Sequence, residues 1–257
     1  MKDHQHKNII GIIPARYHST RLEGKPLAII GGKPMIQHVY ERANKVIDQL
    51  LVATDDERIK KAVNAFNGNV VMTDPGHSTG TNRCLEAYKK WEQLNNKQSN
   101  IIINIQGDEP LLNTEHLEKT ITCFDDPKTS IASLALKLKE NDKLEDGKVY
   151  LVKNDDDFAL YFSRHPIPYL RDFPREKWSS QCQYFQHIGI YGFRRDALER
   201  FANMNESKLE QAEKLEQLRW LEAGEKIKIA ITDKYSQPVD TKEDLEKVRA
   251  IFESKGE

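Results

Sequence analysis

The chain has 257 residues, 39 basic against 40 acidic, a net charge of -1 and 38% hydrophobic content. That length buries a substantial core as one large α/β domain or two small ones. A charge this balanced sets up no whole-protein field for nucleic acid, and no apolar run approaches the roughly 20 residues of a membrane-spanning helix. Pro14 and Arg16 interrupt the apolar stretch near the start, which argues against a secretory leader. Cys84, Cys123 and Cys182 are odd in number, widely spaced and without a C-x-x-C pair, so the sequence predicts neither a disulfide framework nor a zinc site and fits a reducing, cytoplasmic setting. His4 and His6 stand in a short polar tail and are read as disordered and non-ligating.

The first element is the apolar run IIGII, Ile9 to Ile13, which stops at Pro14 and empties into a loop rich in charge and donors, PARYHSTRLEGK. KPMIQHVYERANKV follows, with Met35, Ile36, Val39, Tyr40, Ala43 and Val46 at helical spacing. QLLVAT is a second strand, ending in Asp55 and Asp56, which can cap the helix ERIKKAVNAF. NVVMT is a third strand, GTNRCLEAYKKWEQL a helix, NIIINIQ a fourth strand, and NTEHLEKTITCF a helix with Asn113 as its cap. Strands alternating with single helices predict right-handed crossovers and a mainly parallel open sheet flanked by helices. After residue 128 the pattern changes to SIASLALKL, KVYLV, FALYFS and HIGIYGF, a β-rich insert at about 130–195 with antiparallel character. SKLEQAEKLEQLRWLEAG predicts one long amphipathic helix between a Ser207 cap and Gly224. KIKIAIT is a strand, and TKEDLEKVRAIFES a closing helix capped by Thr241 or Asp240. No repeat or linker divides the chain, so the reading is a single α/β domain over 1–257 with that insert.

Ligands of open parallel sheets bind beyond the carboxyl ends of the strands. Here those ends carry PARYHSTRLEGK, TDD, TDPGHSTGTNR, QGDEP and PVDT. In the first loop Arg16, Arg21 and Lys25 offer charge and planar forks that suit a polyphosphate, against the plainer reading of a solvated loop. It is not a P-loop, because position 19 is Ser and Pro26 follows Lys25. Asp108 and Glu109 just past a strand suit a hard cation such as Mg²⁺ or, alternatively, cap the next segment, and Asp240 carries the same two readings. Gly80 and Thr81 open a helix, where backbone amides meet an anion or a base edge or simply form a turn. His187 and Arg164 lie among apolar and aromatic residues, where a satisfied core histidine is the commoner outcome. Glu216 and Gln217, mid-helix, are read by default as a solvated face.

Taken in order, IPARYHSTRLEGKPL, GKPMIQHVYERA, VATDDERI, VVMT, GTNRCLEA, NIQGDEP, ALYFSRHPIP, HIGIYGFR, SKLEQAEKLEQLRWLE and VDTKEDLEKVR resemble the 3-deoxy-manno-octulosonate (KDO) cytidylyltransferases from about Ile10 to Phe252. The resemblance implies a Rossmann-like fold of the nucleotide-diphospho-sugar transferase type. It implies transfer of CMP from CTP to the anomeric hydroxyl of KDO, with Mg²⁺, release of pyrophosphate, and a product for lipopolysaccharide biosynthesis. It assigns Pro14, Ala15, Arg16, Arg21, Lys25, Thr79, Gly80, Thr81, Arg83 and Gln106 to the nucleotide, and Asp108 and Asp240 to the metal. Gln106, Lys148, Arg164, His187, Tyr191, Glu216 and Gln217 fall to the sugar. Lys25, Arg16, Asp108 and Asp240 carry the catalytic load.

Three departures stand out. Thr79 and Asn82 replace the family's Ser and acid in HSTGTNR, and EDGKVYLVKNDDD, where Lys148 matches a family lysine, has a loop about two residues longer. A related acidic sugar, such as a sialic acid or an 8-amino octulosonate, is the nearest rival acceptor. A non-catalytic nucleotide-binding module is the rival from another class. A homodimer through the aromatic-rich insert is expected.

Overall fold

The computed structural model describes residues 8–19, 21–77 and 79–255; the His4 and His6 tail lies outside the described residues. Packing divides the chain into two compact units, one running to Leu117 and resuming at Ser236, the other Glu118–Tyr235. The expected insert at about 130–195 falls wholly within the second.

In the first unit, β1 (Ile9–Ala15), the ribbon β2 (Ile29–Ile30) and β3 (Lys33–Pro34), α1 (Met35–Ala43), β4 (Leu50–Thr54), α2 (Glu57–Ala65), β5 (Val70–Met72), α3 (Gly80–Asn95) and β6 (Ile101–Asn104) follow in turn. β6, β1, β4 and β5 lie side by side, all parallel. Their near-continuous apolar runs suit strands covered on both faces: Ile10, Ile12, Ile13, Val52, Ala53, Ile102 and Ile103 are fully buried. The chain steps from β1 to β4 to β5 in one direction and then returns to lay β6 on the other side of β1. Strand order reverses at β1, and a crevice opens beyond its carboxyl end.

β1 does not stop at Pro14. It continues to Ala15, with Pro14 opposite Ala53 and Ala15 opposite Thr54. Pairing with β6 ends at Ile12–Asn104, so the missing N–H of Pro14 costs that flank no ladder bond. Lys33 and Pro34, read as helical from the sequence, pair in the ribbon with Ile30 and Ile29 instead; a residue before proline is pushed out of the α region, and Pro34 is itself extended (ψ 146°) as the N-cap of α1. The caps follow the sequence: Asp56 accepts from Arg58 N–H, and Asn113 Oδ1 accepts from Glu115 N–H at the start of α4 (Thr114–Thr122).

The second unit contains β7 (Ile131–Lys137), β8 (Tyr150–Lys153), β9 (Ala159–Ser163), α5 (Trp178–Gln181), β10 (Phe185–Arg194), α6 (Arg195–Ala202), α7 (Lys208–Glu213), α8 (Gln217–Glu222) and β11 (Ile227–Thr232). β7 pairs parallel with β11 and antiparallel with β10; β8 pairs antiparallel with β10 and β9. Trp220 is fully buried, with the rings of Phe201, Phe193 and Tyr191 edge-on at 4.4, 5.1 and 5.2 Å.

The single long helix expected over 207–224 is two short ones. Ser207 and Glu210 form the capping box that the sequence signals, but Lys214 takes φ 51°, in the left-handed region, and ends α7. The carbonyls released there are taken by Arg164, whose Nε donates to Glu213 O at 2.7 Å and Nη2 to Lys214 O at 3.1 Å. The buried pair Arg219–Glu210, 2.6 Å apart, then ties α8 back to α7.

The closing helix α9 (Lys242–Lys255) belongs to the first unit. Thr241, rather than Asp240, caps it: Thr241 Oγ1 accepts from Asp244 N–H at 3.2 Å, while Asp244 Oδ2 accepts from Thr241 N–H at 3.1 Å. Its apolar face, Leu245, Val248 and Phe252, packs with Leu22, Ile30, Met35 and Val239. That packing leaves Asp240 free to face the loop after β1. No described helix is long and apolar enough to cross a membrane, and Cys84, Cys123 and Cys182 form no disulfide with one another.

Candidate active site

A cavity of about 440 Å³ opens beyond β1 in the first unit, lined by Pro14, Ala15, Arg16, Arg21, Lys25, Gly80, Arg83, Gln106, Asp108 and Asp240 among others. Four of the five polar strand ends thus meet in one place. The fifth, TDD, acts from behind: Asp55 accepts from Arg83 Nη2 at 3.0 Å.

The charged loop is held in shape before any ligand arrives. Gly24 sits at φ 68°, and a Cβ there would meet the Tyr17 ring at 3.1 Å, so only glycine closes this turn without strain. Gly24 N–H donates to Tyr17 O at 2.9 Å, and the Arg58 guanidinium lies 3.2 Å from the Tyr17 ring centroid. Leu22 and Pro26 are buried beneath. Lys25 is thereby aimed inward, its side chain 15% exposed.

Lys25 Nζ donates to Asp108 Oδ2 at 2.7 Å and to Asp240 Oδ1 at 3.3 Å, and Arg21 Nη2 donates to the same Asp240 oxygen at 3.1 Å. Two carboxylates from distant strand ends therefore converge on one ammonium. Backbone order supports this, since Val239 N–H donates to Asp108 O at 2.9 Å. Gly107 lets the chain pass close to β1, where an added Cβ would meet Pro14 O at 3.0 Å. Beside Asp108, burial and then the Asp108 charge push the Glu109 carboxyl up to about 8. That shift favours the neutral form of Glu109. Among the described residues no cluster of three or more His, Cys, Asp or Glu gathers for a metal. The donor set here is two carboxylates at a cavity rich in cations for phosphate, which suits Mg²⁺, an ion that takes one or two carboxylates and completes its shell with water and phosphate oxygens.

Thr79 and Thr81 stand off the cavity wall. Thr79 caps α3, accepting from Asn82 N–H at 3.1 Å, and the Thr81 side chain is fully buried. Asn82 has its Oδ1 buried without a hydrogen bond. The preceding loop is tied to α3 through Glu86, which accepts from Asp74 N–H at 2.9 Å and contacts His77 and Lys90. Burial would raise that carboxyl, but hydrogen bonds from Lys90, Asp74 and His77 outweigh it and hold it near 2. Arg83 lines the cavity yet is fully buried and also donates to Thr73 Oγ1 at 2.6 Å. Replacing it by Met strands Asp55 and is expected to cost about 3 kcal/mol, read as a lower urea midpoint with unchanged slope.

The sugar-side candidates, Gln106 excepted, lie in the second unit. His187, half-buried, has its ring between Phe162 and Tyr191 at centroid distances of 5.1 and 5.4 Å. Burial lowers it to about 3. Tyr191 is raised well above its usual value by burial and then by the charge of Glu216, which places those two together. Gln217 is 3% exposed, with Nε2 unbonded. The solvated-face reading of Glu216 and Gln217 fails because the break at Lys214 turns α8 inward. Arg164 donates to Glu213 O, Lys214 O and Gly147 O, three of its five guanidinium N–H groups. Lys148, next to that last contact, is exposed. Sequence reasoning passed over His18, Ser19, Pro26 and Gly107, which also line the cavity beyond β1; their membership of the same loops was the available signal.

His187 gives a pH prediction. Its folded pKa lies below the unfolded value of about 6.5, so the stability it contributes is present above pH 6.5 and is lost as pH falls toward 3. Between pH 7 and 5 the wild type is expected to lose about 2 kcal/mol more than His187→Asn, measured by urea unfolding at the two pH values.

The profile of the cytidylyltransferase family matches residues 10–227. A 3-deoxy-manno-octulosonate cytidylyltransferase of Parabacteroides distasonis is 47% identical over 95% of this chain and 97% of its own. An 8-amino-3,8-dideoxy-manno-octulosonate cytidylyltransferase of Shewanella woodyi is 46% identical over 93% and 96%. A solved CMP:2-keto-3-deoxy-manno-octonic acid synthetase in complex with CTP superposes with a TM-score of 0.86 at 42% identity, covering 97% of this chain and 100% of that one.

Proposed function

This chain belongs to the 3-deoxy-manno-octulosonate cytidylyltransferase family, and from that premise we propose that it transfers CMP from CTP to the anomeric hydroxyl of 3-deoxy-manno-octulosonate, releasing pyrophosphate. The observation that carries the reading is the convergence of Lys25, Arg21, Asp108 and Asp240 in the cavity at the strand-order reversal.

Pro14, Ala15 and Gly80 hold the nucleotide, with Arg83 behind them, and Arg16, Arg21 and Lys25 take the triphosphate. The sugar oxygen attacks the α-phosphorus. As that bond forms, the bond from the α-phosphorus to the bridging oxygen breaks, pyrophosphate leaves with the electron pair, and the hydroxyl proton passes to solvent. Lys25 and Arg16 neutralise the charge that builds on the leaving pyrophosphate, and most of the remaining work is positioning. Asp108 and Asp240 are the residues that would hold Mg²⁺, which when bound stabilises charge on the phosphate oxygens and lowers the pKa of the attacking hydroxyl. Arg164, His187, Tyr191, Glu216 and Gln217 serve the acid sugar, with Gln106 and Lys148. No side chain is required as a covalent nucleophile.

The chain acts as a homodimer through the β-rich stretch, in keeping with the exposure of Leu160, Tyr169 and Phe173 there. It works in the cytoplasm, consistent with three cysteines that form no disulfide with one another, and its product serves lipopolysaccharide assembly.

Pyrophosphate release from CTP and Mg²⁺ is the test, run with 3-deoxy-manno-octulosonate, its 8-amino analogue and N-acetylneuraminate. The highest kcat/KM is expected with the first. A preference for the 8-amino sugar, which the Shewanella relative's name makes the specific second reading, would keep the nucleotide half and move the acceptor. Release with none would leave a binding module.

A further inference from the structure

Ser133 lies on β7, fully buried, opposite an irregularity in β10. Pairing runs through His187–Ala135 and Ile188–Leu134, then resumes at Tyr191–Ser133, so Gly189 and Ile190 have no counterparts on β7. Such bulges re-aim side chains and release backbone groups from the ladder. Here the Ile190 carbonyl meets Ser133 Oγ at 2.9 Å. A carbonyl only accepts, so the single proton of the hydroxyl is committed to it. The same Oγ lies 2.9 Å from His187 Nε2. With its proton spent, the oxygen can only accept there, and Nε2 must carry the hydrogen. A neutral imidazole has one such proton, which leaves Nδ1 as a bare acceptor. No protein group among the described residues hydrogen-bonds Nδ1, and the Phe162 and Tyr191 rings fix the plane in which it points.

We propose that Ser133 is a positioning residue that locks His187 in the Nε2–H tautomer, so that Nδ1 presents an obligatory acceptor to a hydroxyl or ammonium donor of the acid sugar. The inference rests on His187 belonging to the sugar side of the proposed reaction. The bulge is the origin of the device, since an unbroken ladder would leave the Ser133 proton uncommitted and either tautomer open.

The experiment is a long-range ¹H–¹⁵N spectrum of the full chain with ¹⁵N-labelled histidine at pH 7, His187 being assigned by its loss in His187→Gln. The expected pattern has a protonated Nε2 and an unprotonated Nδ1. In Ser133→Ala the two tautomers are expected to mix, the KM for the sugar to rise about tenfold, and CTP binding by equilibrium dialysis to stay as in the wild type. A wild-type Nδ1–H tautomer or a protonated ring overturns the proposal and needs no variant to fold. So does a Ser133→Ala protein with unaltered spectrum and sugar KM. If the wild type turns over no acid sugar, the functional reading has failed instead, and the spectrum alone still decides whether Ser133 sets the tautomer.

Discussion

Asp108→Asn is expected to lower turnover by about a thousandfold while the chain stays folded. The substitution keeps the shape of the side chain and removes the negative charge that, with Asp240, balances Lys25 and would hold Mg²⁺. The fold should tolerate it well. Asp108 lies at the cavity rather than in the core, and loss of its charge relieves one of the two causes that raise Glu109. Pyrophosphate release from saturating CTP and sugar, alongside a circular-dichroism melt, separates the two effects. Turnover within tenfold of the wild type with an unchanged melt would remove Asp108 from the chemistry.

Lys25→Met is the second large effect. Lys25 contacts both carboxylates at 2.7 and 3.3 Å, so its loss leaves two like charges facing each other, with Arg21 still beside Asp240. It also removes a cation from the triphosphate. We expect kcat to fall by about a hundredfold or more and the KM for CTP to rise, with the KM for the sugar changed little, because Lys25 bonds to Asp108 and Asp240 and to none of the sugar-side candidates. Lys25→Arg is expected to restore part of the CTP affinity, since charge is kept, and less of kcat, since a planar fork does not share one point between two carboxylates. Steady-state kinetics varying each substrate in turn reads all three. An unchanged KM for CTP in Lys25→Met would place the triphosphate elsewhere.

Much of the fold was legible because the parallel strands are covered on both faces and so spell out apolar runs such as IIGII, LLVAT and IIIN. Local caps were legible for the same kind of reason: Asp56, Asn113 and Ser207 act on amides two or three residues away. What failed depended on distant partners. Lys, Leu, Glu and Gln across 208–222 are all good helix formers, and nothing in that stretch announces a left-handed Lys214. The break is stabilised by Arg164, some 50 residues earlier in the chain. Once it exists, Gln217 turns from a surface residue into a buried one.

The cavity beyond β1 was legible in groups, because strand ends converge by topology and their polar residues come with them. The pairing within the group was not. That Lys25 bridges Asp108 and Asp240, while Arg83 pairs with Asp55, follows from loop shape, which Gly24, Tyr17 and Arg58 set together. The β10 bulge is another such case. HIGIYGF reads as an ordinary alternating strand, and only the register shows that Gly189 and Ile190 have no counterparts on β7.

The most direct test of the account is the ³¹P NMR spectrum of the products formed from CTP and 3-deoxy-manno-octulosonate with Mg²⁺. Attack at the α-phosphorus predicts pyrophosphate and a CMP–sugar phosphodiester in equal amounts. Inorganic phosphate with CDP, or free CMP with no sugar ester, would contradict it.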